Sequence, residues 1–244
     1  MKRVPRQSVL SDEIYTLIKA KIFEHEIAPG MRVNIDALAL QLNVSHTPIR
    51  ESLARLESEG LILKEPLKGY SATNLLTTSE FNDLFEFRLL IEPWSAQRAA
   101  EAIDDAGIAG LKSEISRAHS SLKLKKDQQI QALTEHDARF HTLVARIAGN
   151  QSVLRAFEST HCHLHLLRLF MAAKNNRLAP ETWTEFIQDF FDHYYQSESG
   201  QLALHQHEEI AAAIIDKNGN LARSIMYAHI EASIRVYSPA VRAP

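Results

Sequence analysis

The chain has 244 residues, a formal net charge of −3 and a hydrophobic content of 45%, which fits two compact domains that each bury a core. Its single cysteine excludes an internal disulfide. No apolar run approaches the roughly 20 residues of a membrane-spanning helix, and the start shows no signal-peptide pattern. We therefore expect a cytoplasmic protein without a membrane segment.

The first predicted element is an amphipathic helix. Apolar residues recur at helical spacing from about Ser8 to His25, and Pro29 with Gly30 then turns the chain. The side chains expected to face inward are Ile14, Leu17, Ile18 and Ile22. This pattern predicts a helix that packs against the elements that follow it.

Two short helices come next, each preceded by a residue type that caps helices. Asn34 and Ser45 can each accept a free backbone N–H at the start of a helix, and Gly60 can close the second one. Pro48 fits the first turn of that second helix, where its missing N–H breaks no intrahelical bond. The pattern predicts a helix-turn-helix.

The second of these helices has two faces. Its predicted inward stripe consists of Ile49, Leu53 and Leu56. His46, Thr47 and Arg50 lie outside that stripe near the helix start, where a helix-turn-helix presents side chains to the DNA major groove. A helix that only packs has no use for such an outward polar face, so we expect it to be a recognition helix.

A β-hairpin is predicted directly after the recognition helix. Leu61–Glu65 and Tyr70–Thr73 have the composition of short strands, and the turn between them carries Lys68 at its tip. Such a hairpin is the wing of a winged helix-turn-helix. The residues predicted to contact DNA are Arg32, Ser45, His46, Thr47, Arg50, Lys68 and Gly69, with base contacts expected from the recognition helix and phosphate contacts from the basic residues around it.

The segment "HEIAPGMRVNIDALALQLNVSHTPIRESLARLESEGLI" closely resembles the DNA-binding domain of the GntR family of bacterial transcription regulators. The resemblance covers roughly the first 75 residues. The family usually has an arginine where this chain has His46. Because an arginine can grip guanine through two hydrogen bonds and a histidine cannot, the resemblance implies an operator that differs from the family's common one.

From Ser79 onward the apolar spacing is helical almost throughout. Breaks are predicted near Asp104, Lys126, Gly149, 175–180, 197–200 and Asn218. We therefore predict a mainly α protein, with a winged helix-turn-helix domain at 1–74 and an all-α bundle of six or seven helices at 79–237.

Four residues of the predicted bundle have the chemistry of metal ligands. Asp137 and His141 are four apart, which places both on one stripe of a helix, while His207 and His229 each share an apolar stripe on later helices. Burying these polar groups without a shared partner costs several kcal/mol, which a divalent ion can offset. The donor set suits zinc, which we expect first, or nickel, manganese or iron; the competing interpretation is hydrogen-bonded core histidines.

The second segment resembles the FCD domain of the FadR-type subgroup, over about residues 79 to 237. Its motif pieces include Phe87 with Arg88, Phe140 with His141, and Gly149 with Asn150. In the metal-binding branch an aspartate and a histidine four later are followed by two histidines 22 positions apart, and His207 and His229 match that spacing. The resemblance implies a homodimer whose grip on operator DNA changes when a small organic acid binds.

Further polar residues are candidates for the effector site. Arg88 and Glu92 lie four apart on an apolar stripe, where they could clamp an effector or only pair with each other. His161, His165 and Arg168 form another polar stripe, which could line the pocket or be satisfied within the core. An aromatic-rich insertion at 172–196 could cover the pocket, extend an interface or simply pack.

Three functions remain open for the metal at this point. An open coordination position beside a general base would make an enzyme acting on a hydroxy or keto acid. A closed coordination shell would make a structural site in an architectural DNA-binding protein. A site that takes an organic acid and shifts the helices would make a sensor. The attached recognition helix favours the sensor, with repression as the expected direction of control and no enzymatic activity.

Overall fold

A computed structural model of the chain describes residues 6–174 and 198–241. These residues form two compact units, the first reaching Leu75 and the second holding 76–170 with the last two helices. The first unit contains α1 (Arg6–Phe23), β1 (Arg32–Val33), α2 (Ile35–Leu42), α3 (His46–Ser58), β2 (Ile62–Glu65) and β3 (Gly69–Ala72). The remaining helices are α4 (Thr78–Ala102), α5 (Asp105–Ser121), α6 (Lys126–Ile147), α7 (Gln151–Ser159), α8 (Cys162–Lys174), α9 (Glu198–Ile215) and α10 (Gly219–Val241).

Helix α1 packs against α3 through a single stripe of isoleucines. Ile14, Ile18 and Ile22 are buried, as predicted from their spacing of four. Leu17 is 47% exposed, so the prediction that it faces inward was wrong. The reason is geometric, because neighbouring residues on a helix are about 100° apart and Leu17 falls on the flank of the stripe.

The caps of α2 and α3 differ from each other. Asn34 accepts the Ala37 N–H at 3.0 Å, as predicted. Ser45 adopts the extended conformation of an N-cap, but its hydroxyl makes no capping hydrogen bond, which corrects the prediction for that side chain. Gly60, with a φ of 73°, follows the end of α3 in the left-handed region that favours glycine.

The predicted hairpin is confirmed and belongs to a three-stranded antiparallel sheet. The strand order is β1-β3-β2, with Ile62 opposite Ala72 and Glu65 opposite Gly69 in the hairpin. Strand β1 was not predicted, because two residues are too few to show a period. It pairs Arg32 with Ser71, so Arg32 lies on the sheet that carries the wing.

The second unit is all-α over its described residues, with seven helices, as predicted. Helix α4 starts with a capping box between Thr77 and Glu80, and Asp104 caps α5. The predicted break at 197–200 was wrong for 198–200, which begin α9. Most of the insertion at 172–196 lies outside the described residues. None of the described helices is long and apolar enough to cross a bilayer.

The interior of this unit is framed by four helices. Helix α4 packs against α6, α9 and α10, and α9 also packs against α10 and α5. Phe81 and Phe85 of α4 and Phe140 of α6 are almost completely buried there. The polar side chains described next project into this apolar surround.

Candidate functional site

Four side chains from three helices converge in the interior of the second unit. Asp137 and His141 come from α6, His207 from α9 and His229 from α10. One possible ligand atom from each lies within 4.8 Å of the others. The three histidines are at most 2% exposed, and Asp137 is half-buried. The structure therefore brings together the four residues that the sequence singled out, which we call the His/Asp cluster.

The histidines direct their Nε2 atoms toward the centre of the His/Asp cluster. His207 Nε2 lies 3.2 Å from His229 Nε2 and 3.5 Å from an oxygen of Asp137. His141 Nε2 lies 3.7 Å from that same oxygen. Ligand atoms bound at about 2.0–2.2 Å to one ion are separated by about 3–4 Å, so these spacings fit a shared cation.

Burial favours the neutral form of two histidines of the cluster. Desolvation, helped by the neighbouring His141 ring, lowers the pKa of His229 to about 3 and takes that of His207 well below its ordinary value. Both imidazoles are therefore neutral near pH 7, which is the form that binds a metal. Burial opposes the charged form of Asp137, but His163 and His141 together hold its pKa well below the usual range.

A buried nitrogen that faces the centre of the cluster lacks a hydrogen bond within the described part of the chain. His141 Nε2 makes no hydrogen bond to any residue in the described part of the chain. A buried nitrogen left unpaired costs about 1–3 kcal/mol. A divalent ion coordinated by three imidazoles and one carboxylate would give this atom a partner, so the donor set and its geometry fit a metal centre.

Residues outside the cluster hold two of its histidines from behind. His229 Nδ1 lies 2.9 Å from the side-chain oxygen of Gln206. His141 Nδ1 contacts a carboxylate oxygen of Glu92. An acceptor on Nδ1 keeps the proton there and leaves Nε2 free, which is the arrangement that supports metal-ligating histidines.

Two more histidines border the cluster. His163 Nδ1 lies 2.5 Å from Asp137, and although burial opposes it, Cys162 and Asp137 raise the pKa of His163 to about 10. His136 Nε2 lies 3.0 Å from His207 Nδ1, and burial lowers the pKa of His136. A protonated His163 donates to Asp137, so the carboxylate also has a support outside the cluster.

Sequence reasoning missed these supporting residues, Gln206, His136 and His163. His136 directly precedes a predicted ligand, and His163 lies in an apolar run, which are weak signals by themselves. None of the three has a sequence spacing that predicts its partner. Their roles depend on which helices pack together, which the local sequence does not show.

Arg88 and Glu92, predicted as an effector clamp or as a pair, form a buried ion pair. Arg88 Nε lies 2.5 Å from Glu92 Oε1, and both side chains are at most 4% exposed. Despite the opposing effect of burial, each partner favours the charged form of the other, which raises the pKa of Arg88 and lowers that of Glu92. Glu92 also contacts His141, so the pair adjoins the His/Asp cluster.

The predicted stripe of His161, His165 and Arg168 lies at the start of α8. His161 immediately precedes the helix with a φ of 46°. His165 is half-buried, and desolvation with the charge of Arg168 lowers its pKa to about 4. Arg168 is 1% exposed, and burial lowers its pKa to about 10. The three residues are close enough to interact, and their predicted contact with an effector stays a prediction.

In the first unit, the predicted base-reading residues are exposed at the start of α3. His46, Thr47 and Arg50 face solvent, whereas Pro48 and Ile49 are buried beneath them. His46 Nε2 lies 3.1 Å from a carboxylate oxygen of Asp36. The helix therefore offers a polar outer face over an apolar inner one.

The other predicted DNA contacts are exposed as well. Ser45 precedes α3, and its hydroxyl is not used as a cap. Arg32 lies on β1, and Lys68 lies on the wing with its ammonium 2.6 Å from Glu65. Gly69, with a φ of 88°, gives the wing turn its left-handed backbone. These positions are where phosphate contacts are expected.

The sequence profile of the FCD domain matches residues 83–232, and that of "Bacterial regulatory proteins, gntR family" matches residues 10–70. The chain belongs to the GntR family of transcription regulators and carries an FCD domain. The resemblance found from the sequence is thereby confirmed. Regulators of this kind are not enzymes, so the alternative of an enzyme acting on a hydroxy or keto acid falls away.

Two curated relatives extend the match over most of the regulator. The Nta operon transcriptional regulator of Aminobacter aminovorans is 25% identical over 207 residues, covering 85% of this chain and 84% of its own length. The HTH-type transcriptional repressor RspR of Escherichia coli is 26% identical over 227 residues, covering 93% of this chain and 88% of its own length. At this identity they support regulation in general rather than a shared signal.

Solved structures share the fold. Escherichia coli McbR/YncC matches with a TM-score of 0.60 and 16% identity, covering 94% of this chain and 98% of that chain. Lar, described as controlling the expression of the Listeria monocytogenes agr system, matches with a TM-score of 0.59 and 15% identity, covering 97% of this chain and 99% of that chain. These similarities establish the fold and do not identify a ligand for this chain.

Proposed function

We propose that this regulator is a metal-dependent sensor of a small organic acid that controls its grip on operator DNA, and that it acts as a homodimer in the cytoplasm. The observation that carries the proposal is the convergence of Asp137, His141, His207 and His229 within 4.8 Å in the interior of a chain that also has a recognition helix. The expected direction of control is repression, which is the activity that the name of the relative RspR, a transcriptional repressor, describes.

The DNA-binding part of the proposal is supported by the exposed face of α3. Arg50 can form two hydrogen bonds with a guanine edge, while His46 and Thr47 have one or two polar atoms for neighbouring bases. Arg32, Lys68, the Ser45 hydroxyl and the Gly69 backbone are suited to phosphates. Two such helices in a two-fold dimer would read a two-fold operator.

The metal part is supported by the donor set and by its burial. Zinc is the first expectation for three imidazoles and one carboxylate, and nickel, manganese and iron accept the same donors. When bound, the ion would supply Lewis-acid chemistry, and a metal that accepts more than four ligands would take oxygen ligands in addition to the four protein groups. The carboxylate of an organic acid is such a ligand.

The sensing interpretation is favoured over a purely structural site by the polar groups beside the His/Asp cluster. His163 Nε2, buried and without a hydrogen bond among the described residues, could donate to a bound acid. Arg88 of α4 adjoins the cluster through its ion partner Glu92, which contacts His141, and we further propose that His161, His165 and Arg168 line the effector pocket. A site that only braces the bundle has no need of such neighbours.

The DNA-binding proposal is tested with duplexes selected from a random pool by the intact protein. We expect Arg50→Ala to lose discrimination between the selected duplex and a scrambled one, by about 1–3 kcal/mol for one bidentate base contact. Arg55→Ala serves as the matched control because Arg55 lies on the same helix and pairs with Asp12. Equal affinity of Arg50→Ala and intact protein for the selected duplex, at matched salt, would contradict the assignment.

The sensing proposal is tested on the same duplex. Zinc-loaded and chelator-treated protein are titrated with DNA in the presence and absence of citrate, malate, lactate and succinate. We expect at least one acid to change the affinity of the zinc-loaded protein and to leave the chelator-treated protein unaffected. An acid that acts equally on both forms would place the effector site away from the metal.

A further inference from the structure

His207 differs from the other two histidines of the His/Asp cluster, because its outer nitrogen faces a second imidazole. His207 Nδ1 lies 3.0 Å from His136 Nε2, and both rings are buried. An imidazole nitrogen can either donate or accept a hydrogen bond. This contact alone therefore leaves the tautomer of His207 open, and the other nitrogen of His136 decides it.

That other nitrogen faces a carboxylate. His136 Nδ1 lies 2.9 Å from Glu114 Oε1. The Arg139 guanidinium donates to both oxygens of Glu114, at 3.0 and 3.1 Å. A carboxylate beside a guanidinium only accepts hydrogen bonds, so the proton of a neutral His136 ring sits on Nδ1.

The tautomer of His136 fixes the tautomer of His207. With its proton on Nδ1, His136 can only accept a hydrogen bond at Nε2, and His207 must donate one from Nδ1. A neutral His207 then has its lone pair on Nε2, the atom that lies 3.5 Å from Asp137 and 3.2 Å from His229. In the opposite tautomer a hydrogen atom would occupy the space meant for the cation.

We propose that Glu114 and His136 are positioning residues for the metal centre, which hold His207 in the tautomer and orientation that offer Nε2 to the ion. The inference rests on the proposed metal function. It goes beyond that function because it assigns a role to two residues outside the ligand set. Neither residue would touch the metal.

The ring plane of His207 is held by a residue other than Glu114 and His136. The effect of that pair on the tautomer can therefore be separated from the packing of the ring. Phe140 stacks on His207 with ring centroids 4.3 Å apart and planes 18° apart. Stacking restricts the plane of the imidazole but does not distinguish its two nitrogens. Loss of the Glu114–His136 pair should therefore leave the ring packed and release its tautomer.

The test measures Co²⁺ binding to the metal-free full chain, by competition with a fluorescent chelator and by the visible absorption of the bound ion. We expect His136→Leu to weaken Co²⁺ binding by about 10–100-fold, as for other supports of metal-ligating histidines, and to change the absorption spectrum. His136→Gln, which restores an oxygen acceptor for His207, should recover much of the affinity. His119→Leu is the control, since His119 is an exposed imidazole on α5 that pairs with the carboxylate of Glu208 and not with a residue of the cluster.

The outcomes separate the two proposals. If the intact protein binds no Co²⁺, the metal function fails and the positioning role falls with it. If the intact protein binds Co²⁺ and His136→Leu binds it with the same affinity and spectrum, only the positioning role is overturned. Should His136→Leu not fold by circular dichroism, Glu114→Ala carries the test, and unchanged Co²⁺ affinity there overturns the inference.

Discussion

The His/Asp cluster makes a quantitative prediction about stability. In His207→Ala the regulator should lose most of the stabilisation that a divalent metal gives to the intact protein. The comparison is made within each variant, between chelator-treated and zinc-loaded samples, because the substitution also changes the metal-free protein.

The contacts of His207 give the size of two effects: the stability lost without metal and the stabilisation by metal that is lost. Without metal, the substitution removes the stacking on Phe140 and leaves His136 Nε2 without its 3.0 Å partner, which costs about 1–3 kcal/mol for the unpaired nitrogen. With free metal at 100 times Kd, the intact protein gains about 2.7 kcal/mol. For a domain of this size each kcal/mol raises Tm by about 2–4 °C, so zinc should raise Tm by about 5–10 °C.

The assay is a thermal melt of the full chain after chelation and after addition of zinc. His205→Ala is the matched control, because His205 lies on the same helix with its side chain 62% exposed and outside the cluster. The control should keep the full zinc-induced rise, and His207→Ala should lose it. A full rise in His207→Ala would refute the reasoning, and so would the absence of any rise in the intact protein.

Three further predictions concern the DNA contacts, the hydrophobic core of the first unit and the dependence of stability on pH. Lys68→Ala should weaken binding to selected and scrambled duplexes alike and reduce the slope of log affinity against log salt by about 1; an unchanged slope would remove Lys68 from the phosphate contacts. Leu53→Ala, at a fully buried position, should lower the free energy of unfolding by about 2–5 kcal/mol, whereas Leu17→Ala should cost well under 1 kcal/mol; denaturant melts giving equal losses would contradict the packing. Burial holds the pKa of His165 near 4 against 6.5 for a free ring, so the unfolded chain binds the proton first and stability is complete above about pH 6.5 and falls toward pH 4. In His165→Gln this fall should be smaller by about 2 kcal/mol, a figure reduced from the full shift because the ring is only half-buried; identical pH profiles in urea melts would exclude His165 as its source.

Much of the local structure could be predicted because it depends on neighbours in sequence. The cap at Asn34, the buried stripe of Ile49, Leu53 and Leu56, and the wing hairpin all follow from residue type and spacing within a few positions. Where the local signal was weak, prediction failed. Leu17 lies beside a strong stripe without belonging to it, and β1 is too short to show a period.

The candidate metal centre could likewise be predicted only in part. Sequence placed Asp137 and His141 on one helical stripe and His207 and His229 on inward faces, because helical geometry links positions four apart. The resemblance to the FCD domain added the expected spacing of 22 between the two later histidines. The four residues of the candidate ligand set could therefore be named without coordinates.

Only the tertiary structure decided what surrounds those four side chains. Which atom faces His207 depends on how α5, α6 and α9 meet, and Glu114 is 22 residues from His136 and much farther from His207 along the chain. Hydrogen bonds between helices leave no period in the sequence, since any pair of polar residues at suitable depth could form them. Amino-acid order alone thus determined the folds of the two segments and the donors of the candidate metal centre, while packing between helices determined the ion pairs and hydrogen bonds that surround those donors.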